Sequence, residues 1–266
     1  MMALSVRRTI AAAAAMMSLA GCSTASQPSP TPPPGLAVAP AVAVFTARDI
    51  ETMAHWKQLA PRVKTLILAS TSVSLVDLVA YERSSSIIDP YKDNFRYVVA
   101  GTGECDIAGT RVAVAPGYLV VAPMFVARSC KATKGTLTFF AASLSRGKNL
   151  AGMMDQGPPA GRIDVDSIGR SLPSATTSAV LADLYKGFYG EVIAAKIAHL
   201  EGRIEGSDQF VYIRGGTGEL WLAGKRHTLA PGALFVVPAA TDVIVRATGR
   251  PIDALIIRSN VALPGS

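Results

Sequence analysis

The sequence predicts an all-β fold of two tandem jelly-roll barrels with a few short helices, preceded by a signal peptide and a proline-rich tether. Three observations predict the barrels. The stretch FRYVVAGTGECDIAGTRVAVAPGYLVVAP (95–123) returns as FVYIRGGTGELWLAGKRHTLAPGALFVVP (210–238) at an offset of 115 without a gap, and 15 of the 29 positions are identical. Within each copy, β-branched runs are punctuated by Gly-Thr-Gly-Glu, Ala-Gly and Ala-Pro-Gly, a pattern of tight turns between short, evenly spaced strands that favours a sandwich or barrel over a parallel sheet. A period near 115 is too long for a solenoid repeat, so each copy is a unit with its own core.

Taken in chain order, the N-terminus is expected to be a targeting segment. Arg7 and Arg8 precede an apolar run from Thr9 to Ala20 that is too short to cross a bilayer, so residues 1–21 read as a secretory signal peptide. The run ends Leu19-Ala20-Gly21-Cys22, which resembles the lipobox of bacterial lipoproteins. That resemblance implies cleavage before Cys22 and acylation of its sulfur; an ordinary secreted protein cut nearby is the alternative. Residues 22–40 then form a lipidated tether. Its STASQPSPTPPPG segment (23–35) cannot pack a core and favours extended polyproline II, reaching on the order of 40 Å at about 3.1 Å per residue. The expected location is the bacterial cell envelope, lipid-anchored and facing the periplasm or extracytoplasmic side, with the membrane as the first partner.

Loss of Arg7 and Arg8 with the signal lowers the formal charge from +7 to +5. The remaining cations are scattered and form no basic cluster interleaved with aromatics, so nucleic acid is excluded as a partner, while acidic envelope polymers stay open. Cys22 belongs to the anchor, which leaves Cys105 and Cys130 as a pair in an oxidising compartment. A disulfide is expected, with two buried thiols as the alternative.

The first barrel, with an N-terminal helix, is assigned to residues 41–146. Thr46 and Asp49 resemble an N-cap with an acidic third position, which predicts a surface helix over 47–60 carrying His55. Residues 147–187 read as a linker: GMMDQGPPAG is turn-rich, and SAVLADLYKGFYG at its end is expected as a short helix. Met153-Met154 and Phe188-Tyr189 are core or an exposed contact surface. The second barrel is assigned to 188–262.

Tyr97 to Glu104 and Tyr212 to Glu219 resemble the first cupin motif around its closing glycine. Gly117 to Pro123 and Gly232 to Pro238, each a glycine six residues before a proline, resemble the second. Found twice in register, these motifs identify the chain with the cupin superfamily and imply a bicupin, with cupin-type barrels over most of residues 70–145 and 188–260. The resemblance also implies where a metal would be held: two early histidines, a glutamate seven residues before the closing glycine, and a late histidine five residues after the proline. Here the glutamate positions are Asn94 and Gln209, the late histidine positions are Arg128 and Val243, and the early windows read IIDP and GRIE. Amides, an arginine and a valine do not replace imidazole and carboxylate, so no metal and no cofactor are expected.

Strand alternation carries the reading further. If Asn94 and Arg128 occupy inward places, Arg96, Val98 and Cys130 point into the first barrel too. The matching residues Gln209, Val211, Ile213, Val243 and Val245 make the second interior nearly all apolar. Arg96 and Arg128 therefore either pair with acidic groups at the barrel mouth or, with Asn94, form a pocket for an anionic small molecule. Cys105 shares core parity with Ile107, and Cys130 with Arg128; on strands of opposite sheets the two sulfurs would meet across the barrel. Of the other histidines, His227 reads as strand surface. His199, Glu201 and Glu205 are the one candidate acid–base cluster, with a solvated strand end as the alternative.

The expected function is a lipid-anchored, non-catalytic bicupin that binds a small ligand or serves as a scaffold or accessory to an envelope protein. The alternatives are a metal-independent cupin enzyme of the epimerase or lyase type, relying on His199, Glu201 and Glu205, and a structural protein with both barrels filled. An open cavity lined by Arg96 and Arg128 is the feature that separates a binding pocket from a filled barrel.

Overall fold

Two long antiparallel strands carry the first barrel. In the computed structural model, which describes residues 42–259 except 54, 72–73, 85, 146–156, 175–177 and 188, β5 (Lys92–Ile107) runs beside β8 (Arg128–Ser145) from the Lys92–Ser145 pair to the Ile107–Arg128 pair. Register shifts between Val98 and Gly103 let the ribbon bend from one wall of the barrel into the other. Gly101 sits at that bend with φ +82°, where a Cβ would strike the Thr136 carbonyl; Gly216 repeats the geometry at φ +80° against Pro251. This is why the closing glycine occurs in both copies.

Strands β2 (Lys57–Ala60), β3 (Val63–Ser70) and β4 (Ser74–Tyr81) extend the sheet from β8, while β7 (Tyr118–Ala122) and β6 (Thr110–Val114) pair with the two halves of β5. The second barrel comprises β10 (Ala179–Lys186), β11 (Gly190–Ile197), β12 (His199–Ile204), β13 (Asp208–Gly215), β14 (Gly218–Leu222), β15 (Lys225–Leu229), β16 (Leu234–Val237), β17 (Thr241–Ala247) and β18 (Ile252–Ser259). Its sheets are ordered β1-β16-β13-β18-β11-β10 and β12-β17-β14-β15, where β1 is Ala43–Phe45.

Three cores hold the chain together. Val98, Leu137 and Phe139 fill the first barrel, and Ile213, Leu220, Val245 and Ile256 fill the second. The third core lies between the barrels, where Phe95, Tyr97 and Phe140 of the first meet Phe210, Tyr212 and Leu255 of the second. Strands in this interface bury both faces, which accounts for the unbroken apolar runs at 118–122 and 233–237. Each strand residue removed from water contributes on the order of 1.5–3 kcal/mol when its side chain is as large as Leu or Phe, so the shared layer welds the two copies into one body.

The duplication extends beyond the repeated sequence. Strand β1 pairs with β16, and β9 (Gly161–Asp164) pairs with β7, so each copy sends its leading strand to the other barrel. Both arms then enter a short helix: α1 (Ala47–Thr52), capped by Thr46, and α2 (Val165–Ser171), capped by Asp164. The glycine of each Ala-Pro-Gly turn makes room for the incoming arm. A Cβ on Gly117 (φ +98°) would overlap the Asp166 carboxylate, and one on Gly232 (φ +85°) would sit 2.7 Å from the Ala47 Cβ.

Several expectations are corrected. The helix predicted over 47–60 stops at Thr52. Met53 takes a left-handed conformation (φ 53°), and Lys57–Ala60 forms a hairpin with β3. The Thr46–Asp49 capping box is present in full. The helix expected in SAVLADLYKGFYG is strand β10, because edge pairing with β11 overrides the helical preference of Ala and Leu. Strand β1, assigned with the first barrel, belongs to the second barrel's sheet; β9, assigned to the linker, belongs to the first barrel's sheet. Tyr189 is buried. The signal peptide, Cys22, the tether, Met153-Met154 and Phe188 lie outside the described residues. Among those described, no helix is long and apolar enough to cross a membrane.

Candidate functional site

Inside the first barrel, strand alternation brings Arg96 and Arg128 together. Arg96 donates from Nη1 to the Tyr81 hydroxyl at 2.9 Å, and its guanidinium lies 5.7 Å from the Tyr81 ring and 5.9 Å from that of Phe139. Arg128 is held by reciprocal 2.9 Å backbone bonds to Ile87, and its side-chain Nε and Nη1 are buried with no hydrogen-bond partner among the described residues. Burial, reinforced by the Arg96 charge, pulls the Arg128 pKa down to about 10, so it remains a cation at neutral pH. Burial pushes the Asp77 carboxyl up, against the opposing pull of Arg96.

Asn94 does not join the two arginines. Its Oδ1 accepts from Ser143 Oγ at 2.8 Å and its Nδ2 donates to the Lys92 carbonyl at 2.9 Å, so both ends of the amide are engaged. The cleft between Tyr81, Ile87, Arg96, Arg128 and Cys130 leaves no space for a water-sized molecule. The open cavity that would mark a ligand pocket at these residues is therefore missing among the described residues, and Arg96 lies over aromatic rings instead.

Cys105 and Cys130 are joined by a disulfide with Cα atoms 4.0 Å apart. They do not bridge opposite sheets as expected. They face one another directly on the neighbouring strands β5 and β8, because the long ribbon keeps its pairing past the bend. The second interior is apolar: Val211, Ile213, Val243 and Val245 lie in its core, and Gln209 is half-buried on β13.

His199 Nε2 lies 3.5 Å from Glu201 Oε2 on β12, where alternation turns both outward from Leu200. Glu205 instead pairs with Arg203 at 3.4 Å. These three residues share no cavity and do not converge. His227 is on β15 and His55 lies near the Phe45 ring. Among the described residues, no group of three or more His, Cys, Asp or Glu is placed to hold a metal ion. A cupin-type metal does not fit either barrel: the first presents a cation and an already engaged amide at the ligand places, and the second presents Val243.

Sequence reasoning missed a polar cavity of about 310 Å³ between the barrels. Tyr97 and Tyr212, the same position in the two copies, stand with ring centroids 5.7 Å apart and contribute to its lining. Arg214, Lys196 and Asp253 line it from β13, β11 and β18, while Asp166 and Arg170 line it from α2. The Arg214 side chain is only 7% exposed and is paired with Asp166. Lys196 Nζ donates to the Leu172 carbonyl at 3.1 Å. Burial raises the Tyr97 hydroxyl pKa and pushes that of Tyr212 up to about 12, so both stay protonated at neutral pH. The sequence did carry one signal, since Arg214 interrupts the repeat where the first copy has Val99.

No known family profile and no curated protein matches the chain. Solved structures do. A cupin 2 conserved barrel domain protein from Leptotrichia buccalis superposes with a TM-score of 0.65 at 13% identity, covering 82% of this chain and 96% of its own. A salicylate 1,2-dioxygenase from Pseudaminobacter salicylatoxidans gives 0.60 at 14% identity, covering 83% and 84%. Protein Ylba from E. coli gives 0.60 at 15%, covering 83% and 90%. The likeness is one of fold: this chain has the cupin jelly-roll architecture.

Proposed function

We propose that this chain is a lipid-anchored bicupin of the bacterial cell envelope that acts without catalysis, as a small-ligand-binding or accessory module. The observation that carries the reading is the content of the two barrels. Arg128, the Arg96–Tyr81 stack and the Cys105–Cys130 bridge crowd the first, and apolar side chains close the second. Among the described residues, neither barrel offers converging ligands or an acid–base pair beside a cavity. In support of the envelope location are the lipobox-like Leu19-Ala20-Gly21-Cys22, the proline-rich segment behind it and a disulfide suited to an oxidising compartment.

Two measurements on one membrane preparation test the reading. The extracted full chain is expected to carry no stoichiometric transition metal by elemental analysis, and the Cys22→Ser chain is expected to leave the membrane fraction. One bound iron, manganese or zinc per chain would overturn the non-catalytic assignment. A Cys22→Ser chain that stays with membranes until detergent is added would overturn the anchor.

A further inference from the structure

The inter-barrel cavity combines three features that packing alone does not explain. The first is asymmetry. Strand pairing makes Lys196 and Asp253 the counterparts of Ala80 and Thr138, and Arg214 stands where the first copy has Val99. These charges occur in one copy only, on the face that meets the other barrel, so the internal repeat does not require them.

The second feature is a pair of complementary orphans. Arg214 uses Nη2 on Asp166 and interacts with the Tyr97 hydroxyl, yet its Nε and Nη1 are buried without a hydrogen-bond partner among the described residues. Asp253 Oδ1, on the same cavity, is a buried acceptor without a partner among them. Each buried polar atom left unmatched costs about 1–3 kcal/mol, so two donors and an acceptor in one cavity call for something that answers both.

The third feature is charge and size. Arg170, Lys196 and Arg214 face Asp166 and Asp253, three cations against two carboxylates, so the lining carries one net positive charge. The volume of about 310 Å³ equals that of about ten waters at their share of the liquid. It sits at the lower end of small-molecule sites.

We propose that this cavity binds a small monocarboxylate bearing a hydroxyl or ammonium group, with the carboxylate accepting from Arg214 Nη1 and the hydroxyl or ammonium donating to Asp253 Oδ1. A hydrogen bond from a charged guanidinium nitrogen to a carboxylate is among the stronger ones, Lys196 and Arg170 add charge around it, and the Tyr212 hydroxyl supplies a neutral polar contact. The proposal rests on the reading of the chain as a binding module and gives that module a site outside both barrels.

Isothermal titration of the full chain in detergent with lactate, alanine and acetate tests it. Lactate or alanine is expected to bind at least about tenfold more tightly than acetate, the value of one buried, charge-assisted hydrogen bond. The tighter of the two identifies the donor as hydroxyl or ammonium. Arg214→Met should abolish binding of all three. Asp253→Ala should lower the preferred ligand to the acetate level and leave acetate unchanged. Because Arg214 is buried, the exposed Arg170→Ala variant provides a test that keeps the fold, with affinity falling by about two- to fivefold as one partly screened charge is removed. Arg96→Met, in the first barrel, should change nothing. No binding of any probe at about 10 mM, no preference over acetate, or a loss on Arg96→Met would overturn the proposal. A metal found in the chain would end the non-catalytic reading and leave these titrations standing, so the two failures are distinguishable.

Discussion

Replacing Arg128 with Met should stabilise the protein. The guanidinium is buried, its Nε and Nη1 have no partner among the described residues, and Arg96 adds like-charge repulsion. The fall of its pKa from the ordinary arginine value to about 10 is worth about 3 kcal/mol against the charged form, at about 1.4 kcal/mol per pH unit. Met keeps most of the apolar stem and removes the charge, and buried ions replaced by well-packed apolar side chains commonly return about 1–4 kcal/mol. Allowing for imperfect repacking, a gain of about 2 kcal/mol is expected. The sign with pH follows from linkage. The folded-state pKa is depressed, so between about pH 10 and the unfolded value the unfolded chain holds more protons. The wild-type protein should therefore regain stability relative to the variant as pH rises through about 10. Urea denaturation of both proteins at neutral pH, with the disulfide intact, reads the effect as a higher midpoint at unchanged slope. A variant less stable than wild type by more than about 1 kcal/mol would show that attraction to Tyr81, Asp89 and Asp77 outweighs the cost of burial, and would refute the account of the first barrel as crowded by an incompletely compensated cation.

Two further outcomes follow from the architecture. Paired Cys105→Ser and Cys130→Ser changes should cost about 3.5 kcal/mol in the chain-entropy model for a bridge spanning 25 residues, and the envelope protein should show no reactive thiol from this pair until reductant is added. Gly117→Ala should destabilise the protein by at least about 1 kcal/mol more than Gly109→Ala, because both glycines have positive φ but only the Gly117 Cβ would meet the crossed arm at Asp166. Equal costs in denaturant titrations would remove the role assigned to the Ala-Pro-Gly turn.

The sequence alone determined the repeated unit, the all-β class and the positions of the turns, because glycines with forced backbone angles and prolines leave marks that do not depend on distant contacts. Gly101 and Gly216 are legible for that reason, as are the Thr46–Asp49 cap and the lack of ligand side chains at Asn94, Gln209, Arg128 and Val243. The inward parity of Arg96, Arg128 and Cys130 was legible as well, since alternation along a strand is a local rule. Which strand lies beside which is a nonlocal matter, and there the reading failed. Cys105 and Cys130 proved to be neighbours on one ribbon, β1 and β9 crossed to the opposite barrels, and the Ala- and Leu-rich segment at 179–186 became an edge strand through pairing with β11. The inter-barrel cavity was hidden for the same reason. Its residues come from both copies and an arm, and Arg214 becomes a buried cation with unmatched nitrogens only once two sheets and α2 close around it. Composition and spacing record what each strand prefers; burial, charge pairing and unmet hydrogen bonds exist only after the barrels meet.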